Sequence, residues 1–424
     1  MAQIKNQEAS ANMSLSPPLD AAMRKKLERY AELLVKLGSN VQKGQTVVIQ
    51  APTFAYEFLG MLVEAAYQAG ARRVYTEYSD DTLVARQLRY GGLKEATYPA
   101  YEMDFLLDKF RDNGTYIRIQ SPLPDVFSGI PQEVLTAYQK SKTAARKAMQ
   151  DIVGDFKSTW VIALYANPRW AKQVYPQLPA EEALEKLWED LFTFTDVLKE
   201  DTLAAQEERI RRCHQRVETL NRAAFVKLVY QSPTADLEIL LPEGHLWNGG
   251  AETAGNGLRC MANIPTEEVY TVPCKKGVSG WVRNTKPLLH DGILIDDFEF
   301  TFKDGKVVEY RAGKGQAQLE AILEADEGAR YLGEVALVSV DSPIAASNRI
   351  YYTTLLDENA SCHLALGDSF SIALPADAPK EIRDQLNHSD KHVDFMIGSP
   401  ELDIAGIQKD GTRIPVFVKG RWAI

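Results

Sequence analysis

The sequence predicts an α/β N-terminal domain with a mainly parallel sheet, followed by an α+β C-terminal domain rich in antiparallel strands. Three observations lead there. Up to about Asn221, short apolar runs alternate with longer segments of helical period, the pattern of stacked βα units. Beyond Phe225 the texture changes to alternating strands separated by Asp304-Gly305, Asp410-Gly411 and Lys419-Gly420, dipeptides suited to tight hairpin turns. The length of 424 residues also exceeds what a single hydrophobic core ordinarily holds.

In chain order, residues 1–18 are polar and end in Ser16-Pro17-Pro18, with no apolar centre of the kind a signal peptide needs; they read as a flexible extension. Residues 19–222 form the α/β domain. Its strand candidates are Val47-Val48-Ile49, Val74-Tyr75-Thr76, Tyr116-Ile117-Arg118-Ile119 and Trp160-Val161-Ile162-Ala163-Leu164. Helices are expected near 56–68, 82–89 and 134–151, and the charged stretch 181–222 reads as one helical bridge between domains. Residues 223–424 form the α+β domain, interrupted by helical segments at 316–323 and near 360–367.

Composition excludes several classes. The chain has 48 basic and 58 acidic residues, a net charge of -10, and no Lys/Arg cluster to follow a phosphate backbone, so nucleic acid is not an expected partner. No uncharged apolar run is long enough to span a membrane. Cys213, Cys260, Cys274 and Cys362 form no C-x-x-C pair and no disulfide spacing, as in a reduced, cytoplasmic protein. The first strand runs into Ala51-Pro52-Thr53 without the glycine-rich turn that a dinucleotide requires.

All six histidines follow the sheet of the first domain, so histidine chemistry belongs to the second. In 391–398, period-2 alternation sets His392 and Asp394 on one face of a strand and Val393 and Phe395 on the other. In 331–338, Glu334 is a lone carboxylate in a nearly continuous apolar strand, where an unpaired charge costs several kcal/mol, so it needs a cation: an Arg, a Lys or a metal. A third strand, 265–272, sends Glu267 and Glu268 to opposite faces, and only one of them can reach a shared site. The segment 359–367 reads as a short capped helix carrying His363 among small and apolar neighbours. Three carboxylates and two imidazoles suit a pair of divalent ions bridged by one carboxylate. No G-x-S-x-G elbow and no H-E-x-x-H helix is present to suggest a serine hydrolase or a single-zinc protease.

Five long blocks, at 241–250, 263–269, 326–336, 357–367 and 392–399, together resemble the aminopeptidase T family, which includes the bacterial aminopeptidases S. The likeness runs over nearly the whole chain after residue 20 or so. It implies a two-domain metallo-exopeptidase with a dinuclear site, a homodimer acting on peptides with a free amino terminus and tolerant of many side chains. Its ions are zinc or cobalt, with magnesium or manganese as alternatives. Matched residue by residue, the ligands fall on Glu268, Glu334, His363, His392 and Asp394. Glu334 is the bridging carboxylate, and Glu334 and His392 are the residues expected to act in catalysis. One position departs from the family. A tyrosine usually follows the histidine by seven residues, on the same face if the helix continues, and here Phe370 stands in its place, with Tyr351 and Tyr352 as candidate substitutes. Glu267, Glu243 and His245 are candidate proton carriers, and Trp247 and Trp281 candidate pocket walls. Three readings stay open at this point: an aminopeptidase, a metal hydrolase of another amide, and a weakly active or non-catalytic metal-binding homologue.

Overall fold

The computed structural model describes residues 19–154, 156–290 and 292–424, so the polar extension 1–18 lies outside the described residues. In the first half, β1 (Thr46–Pro52), β2 (Arg73–Ser79), β3 (Thr115–Gln120) and β4 (Trp160–Leu164) form a parallel sheet in the order β2-β1-β3-β4. Helices cover both of its faces, which is why strands such as Val47-Val48-Ile49 read as continuous apolar runs. One face, through Val47, Ile49, Ile117, Ile119 and Val161, packs under the helices Ala21–Leu33, Tyr56–Gln68 and Ala180–Phe194. The other carries Val48, Tyr116 and Trp160 against Met103, Leu106 and Met149 of the helices Ala100–Arg111 and Gln132–Gly154.

The stretch expected to be one bridging helix is two, Ala180–Phe194 and Thr202–Ala223. Asp196 adopts a left-handed conformation with φ 56, and Asp201 caps the second helix by accepting the Ala204 N–H at 2.9 Å. Asp201 competes for a backbone donor in this way, and its cap together with the left-handed Asp196 overrides the helical composition around them.

The second half stacks two antiparallel sheets. The larger has nine strands, with Val278–Arg283, Ala235–Leu240, Lys227–Ser232 and Asp403–Ile407 at its centre. Asp304-Gly305, with φ of 51 and 82, turns Ile293–Lys303 back into Lys306–Lys314, as the dipeptide predicts. The smaller consists of β5 (Asn248–Gly249), β6 (Val269–Thr271), β7 (Leu332–Leu337), β8 (His363–Gly367) and β9 (His392–Met396), in the order β9-β8-β7-β6-β5. Val335, Leu337, Leu364, Leu366, Val393 and Phe395 form its inner face and pack on Leu237, Val282, Phe298 and Phe300 of the larger sheet. The helix at Gln316–Leu323 is present as expected.

The helix expected at 360–367 is not. A single 3-10 turn, Glu358–Ala360, leads into β8, which pairs with β7 on one side and β9 on the other. A short apolar run has no period that separates strand from buried helix, and hydrogen bonding on both edges decides for strand.

The two halves also meet through backbone. Ile162 donates its N–H to Ala262 O at 2.7 Å, and Ile264 donates to Ile162 O at 3.0 Å, so the chain leading to Glu268 runs along the edge of β4.

Gly333 sits at the register shift between Leu332 and Glu334, where an added Cβ would lie 2.1 Å from Asp368 O and 2.4 Å from Gly367 O. Backbone oxygens cannot step aside as a flexible side chain does. Gly333→Ala is expected to cost about 1–3 kcal/mol or more, read as a lower urea midpoint at unchanged m-value.

Candidate metal centre

Strand alternation sets Glu334 and Ala336 of β7, His363 and Ala365 of β8, and His392 and Asp394 of β9 on the face of the smaller sheet away from its core. Registers align Glu334 with Ala365, and Ala365 with Asp394. Tyr270 of β6 pairs with Ala336 and shares the face, and Glu268 lies two residues before it. Alanines at the centre leave open the space that the acids and imidazoles surround. The result is a cavity of about 300 Å³, walled on the opposite side by Phe156, Trp160, Ile162, Ala262 and Leu355.

His363 Nε2 is 3.2 Å from Glu268 Oε2, while His392 Nε2 is 2.9 Å from Glu334 Oε2 and 3.3 Å from Asp394 Oδ1. Ligand atoms of Glu268, Glu334 and His363 lie within 4.8 Å of one another, as do those of Glu334, His392 and Asp394, and Glu334 belongs to both groups. The five residues singled out in the sequence are thus brought together.

Two features fit a cation here. His363 Nδ1 is 3.1 Å from Ser361 O, and His392 Nδ1 is 2.9 Å from Asp368 O. A carbonyl only accepts, so each Nδ1 carries a proton and each Nε2 is aimed at the carboxylates, the orientation in which backbone carbonyls hold metal-ligating histidines. The second feature is charge. Glu334 is 4 % exposed and His363 1 %, and among the described residues no lysine or arginine pairs with Glu268, Glu334 or Asp394. Burial pushes the Glu334 carboxyl up, against the pull of His392. Burial would lower the His363 pKa, but its hydrogen bond to Glu268 and the charges of Glu268, Glu334 and Asp394 outweigh that and raise it to about 10. His392 is likewise raised well above the ordinary value: the charge of Asp394 and the bonds to Asp394 and Glu334 overcome burial. Without another cation, protons must balance the acids.

Two more carboxylates line the cavity that sequence reasoning does not single out, Glu358 and Glu252. Burial, followed by the charges of Asp394 and Glu268, holds Glu358 well above the usual carboxylate range. Burial pushes Glu252 up to about 7, moderated by the Gly249 N–H that it accepts at 2.7 Å. Glu358 sits on a 3-10 turn and Glu252 in a two-residue strand, so neither belongs to a periodic segment; the one sequence signal is that Glu358 falls within the 357–367 block.

Glu267 and Glu268 do diverge, although the strand begins only at Val269. Glu267 pairs with Arg209 of the Thr202–Ala223 helix, which also holds Asp196 at 2.8 Å, and its N–H donates to Asn359 Oδ1 at 2.7 Å. The other candidates lie away from the cavity. Glu243 is exposed, His245 donates from Nδ1 to Pro242 O at 3.0 Å and packs on Trp247, and Trp247 itself belongs to the core between the two sheets. Trp281 lies in the larger sheet. Phe370 shares no helix with His363, since a strand and a loop separate them. It reaches the cavity all the same, its ring 4.7 Å from that of His392 and 5.8 Å from that of Tyr270. The Tyr351 hydroxyl is committed to Asp190 at 2.9 Å in the first core, and Tyr352 does not line the cavity; Tyr270 does.

A divalent ion entering between these groups must displace the protons on Nε2. Raised imidazole pKa values mean that protons compete more strongly as pH falls, so apparent affinity is expected to drop by roughly tenfold per pH unit for each proton displaced. Calorimetric titration of the apoprotein with Zn²⁺ in buffers of different ionisation enthalpy counts those protons; binding without proton release contradicts the assignment.

A family model described as thermophilic metalloprotease (M29) matches residues 23–422. Aminopeptidase 2 of Geobacillus stearothermophilus is 41% identical over 405 residues, covering 94% of this chain and 98% of that protein. Aminopeptidase T of Thermus thermophilus is 39% identical over 408 residues, covering 95% and 100%. The solved structure of wild-type AmpT from Thermus thermophilus superimposes with a TM-score of 0.88 at 38% identity, covering 95% of this chain and all 100% of that one. Likeness of this extent in sequence and in fold means that the chain belongs to the thermophilic metalloprotease family M29 and is a hydrolase of peptide bonds.

Proposed function

We propose that this chain is an aminopeptidase that removes amino-terminal residues from peptides, with broad side-chain tolerance, using two divalent ions. Glu268 and His363 would hold one ion and His392 and Asp394 the other, with Glu334, which belongs to both groups, available to each. Zinc or cobalt is preferred to magnesium or manganese because imidazole nitrogen suits the former pair. Residues 223–424 act as the metal-binding catalytic domain and 19–222 as the domain that completes the cavity. The observation that carries this reading is the concentration of buried carboxylates on one sheet face, where two imidazoles are the cationic partners among the described residues.

Bound there, the ions would supply Lewis-acid polarisation of the scissile carbonyl and a water acidified toward neutral pH. The protein's own groups do the rest. Glu358 takes the proton of the attacking water and delivers it to the leaving amine; its place on the cavity wall beside Asp394 and Glu268, where burial raises its affinity for a proton, suits it to carry one. Glu252 accepts a single backbone N–H from Gly249 and keeps lone pairs free for the substrate ammonium. Tyr270, kept protonated by burial and by the nearby charges of Glu252, Glu334 and Glu268, offers the hydroxyl that Phe370 lacks. Phe156, Trp160 and Ile162 form an apolar wall for the side chain. The reading extends to a cytoplasmic homodimer, on the family resemblance and on the free state of Cys213, Cys260, Cys274 and Cys362.

Phe370 favours a second reading, a weakly active homologue. If Tyr270 fills the role, Phe370→Tyr changes kcat by less than about tenfold; if nothing fills it, the same change raises kcat by a hundredfold or so. For the main reading, chelation abolishes turnover of an aminoacyl anilide, and N-acetylation of the substrate lowers kcat/KM by at least about a hundredfold, since a site built around an ammonium rejects its absence. Metal-dependent hydrolysis of the acetylated compound at a similar rate would point instead to an amidase of another kind. Glu358→Gln is expected to lower kcat by about 10²–10⁴ with little change in KM.

A further inference from the structure

The turn that leads into β8 carries three consecutive polar residues, Asp357, Glu358 and Asn359, and all three are buried. Buried polar groups need partners. Asp357 accepts the N–H of Tyr351 at 2.7 Å and that of Thr353 at 3.1 Å, which winds the preceding loop around its carboxylate. Asn359 has no exposed surface and uses both ends of its amide. Its Oδ1 accepts the Glu267 N–H at 2.7 Å, and its Nδ2 donates to Leu355 O at 2.9 Å and to Glu358 Oε1 at 3.4 Å. Its own carbonyl accepts the Ser342 hydroxyl at 3.2 Å, so the backbone beneath the amide is held as well.

A backbone N–H only donates and a carbonyl only accepts, so the amide of Asn359 stands in one orientation. Its oxygen faces the segment that runs into Glu268, and its nitrogen faces the turn that carries Glu358. Glu268 and Glu358 both line the cavity, as does Leu355, whose carbonyl takes the closer of the two Nδ2 contacts. Among the described residues, Asn359 makes the one hydrogen bond that reaches the Glu358 carboxylate. A glutamate side chain turns about several bonds, and a fixed donor beside it removes part of that freedom before a substrate arrives.

We propose that Asn359 is a positioning residue that couples the metal arm to the proton carrier: its oxygen holds the segment presenting Glu268 to one ion, and its nitrogen holds Glu358 on the cavity wall. The inference rests on the aminopeptidase reading, in which Glu358 carries the proton, and goes beyond it in naming the side chain that fixes the carrier relative to the metal. Asn359 acts through Glu268 and Glu358 and touches neither ion nor substrate. A carboxylate in its place keeps the acceptor for the Glu267 N–H and loses the donor for Glu358, so the two roles can be separated by substitution.

The test uses the zinc-loaded protein and an aminoacyl anilide. Asn359→Asp should lower kcat about tenfold while KM and the affinity for both ions stay within about twofold of wild type. Asn359→Ala should lose kcat to a similar extent and also bind one of the two ions about tenfold more weakly, read by calorimetric titration of the apoprotein with Zn²⁺. In Glu358→Gln, adding Asn359→Asp should change kcat by no more than about twofold, because a residue that acts through Glu358 then has nothing left to place. Wild-type kcat in Asn359→Asp, losses that multiply in the double variant, or equal loss of metal affinity in both Asn359 variants would overturn the proposal. Should the added charge prevent folding, the same cycle is run with Asn359→Ala at saturating Zn²⁺, where metal loss no longer lowers kcat and multiplied losses again overturn it. Failure of the underlying reading shows separately. Wild-type kcat in Glu358→Gln would overturn the proton-transfer role and the inference with it, whereas a slow Glu358→Gln with multiplied losses overturns the inference alone. If the wild-type protein cleaves no free-amine anilide, the aminopeptidase reading fails.

Discussion

The structure depends on the placement of several carboxylates on one face of the smaller sheet, in surroundings that exclude most water. Removing even one carboxylate from water costs several kcal/mol unless something positive stays beside it. Glu268, Glu334, Asp394 and Glu358 share one cavity, with His363 and His392 among them. Ordinary protein design disperses such charge or gives it arginine. Here the nearby Arg209 is spent on Asp196 and Glu267, facing away from the cavity. The geometry therefore requires either protons or metal ions, and the orientation of both imidazoles by backbone carbonyls favours the second.

What holds so unfavourable a face in place is the opposite one. Leu364, Leu366, Val393 and Phe395 alternate with the ligands along β8 and β9 and are buried against Phe298 and Phe300, so a slip of one residue in either strand would put the acids into the core. The Glu268 arm is not within a strand, and it is secured from three directions: β4 through Ala262 and Ile264, the Thr202–Ala223 helix through Arg209, and the 358–360 turn through Asn359. Two of these three come from the first half of the chain, which thereby positions a ligand as well as walling the cavity.

Much of this was legible in the residues. A lone glutamate in an apolar strand, and a histidine and aspartate two apart in an alternating one, follow from period-2 geometry and the cost of burying charge, and Glu334, His392 and Asp394 do converge. The parallel sheet and the Asp-Gly hairpin were equally readable, because apolar runs and turn chemistry are local signals. Long-range pairing was not. His363 lies in a strand because β7 and β9 flank it, and no local pattern announces that. The bridge breaks where Asp196 turns left-handed and Asp201 caps the next helix, within a charged, helix-prone stretch. Glu358 and Glu252 become visible only when separate elements are folded against one another. Phe370 was placed correctly near the histidines for a reason that does not hold, since a loop and not a helix carries it there.

The most direct measurement is anomalous X-ray scattering at the metal absorption edge from crystals of the protein loaded with zinc. The account predicts two peaks, one between Glu268, Glu334 and His363 and the other between Glu334, His392 and Asp394, with Glu334 touching both. A single peak that Glu334 does not touch, or none in the cavity, would contradict it.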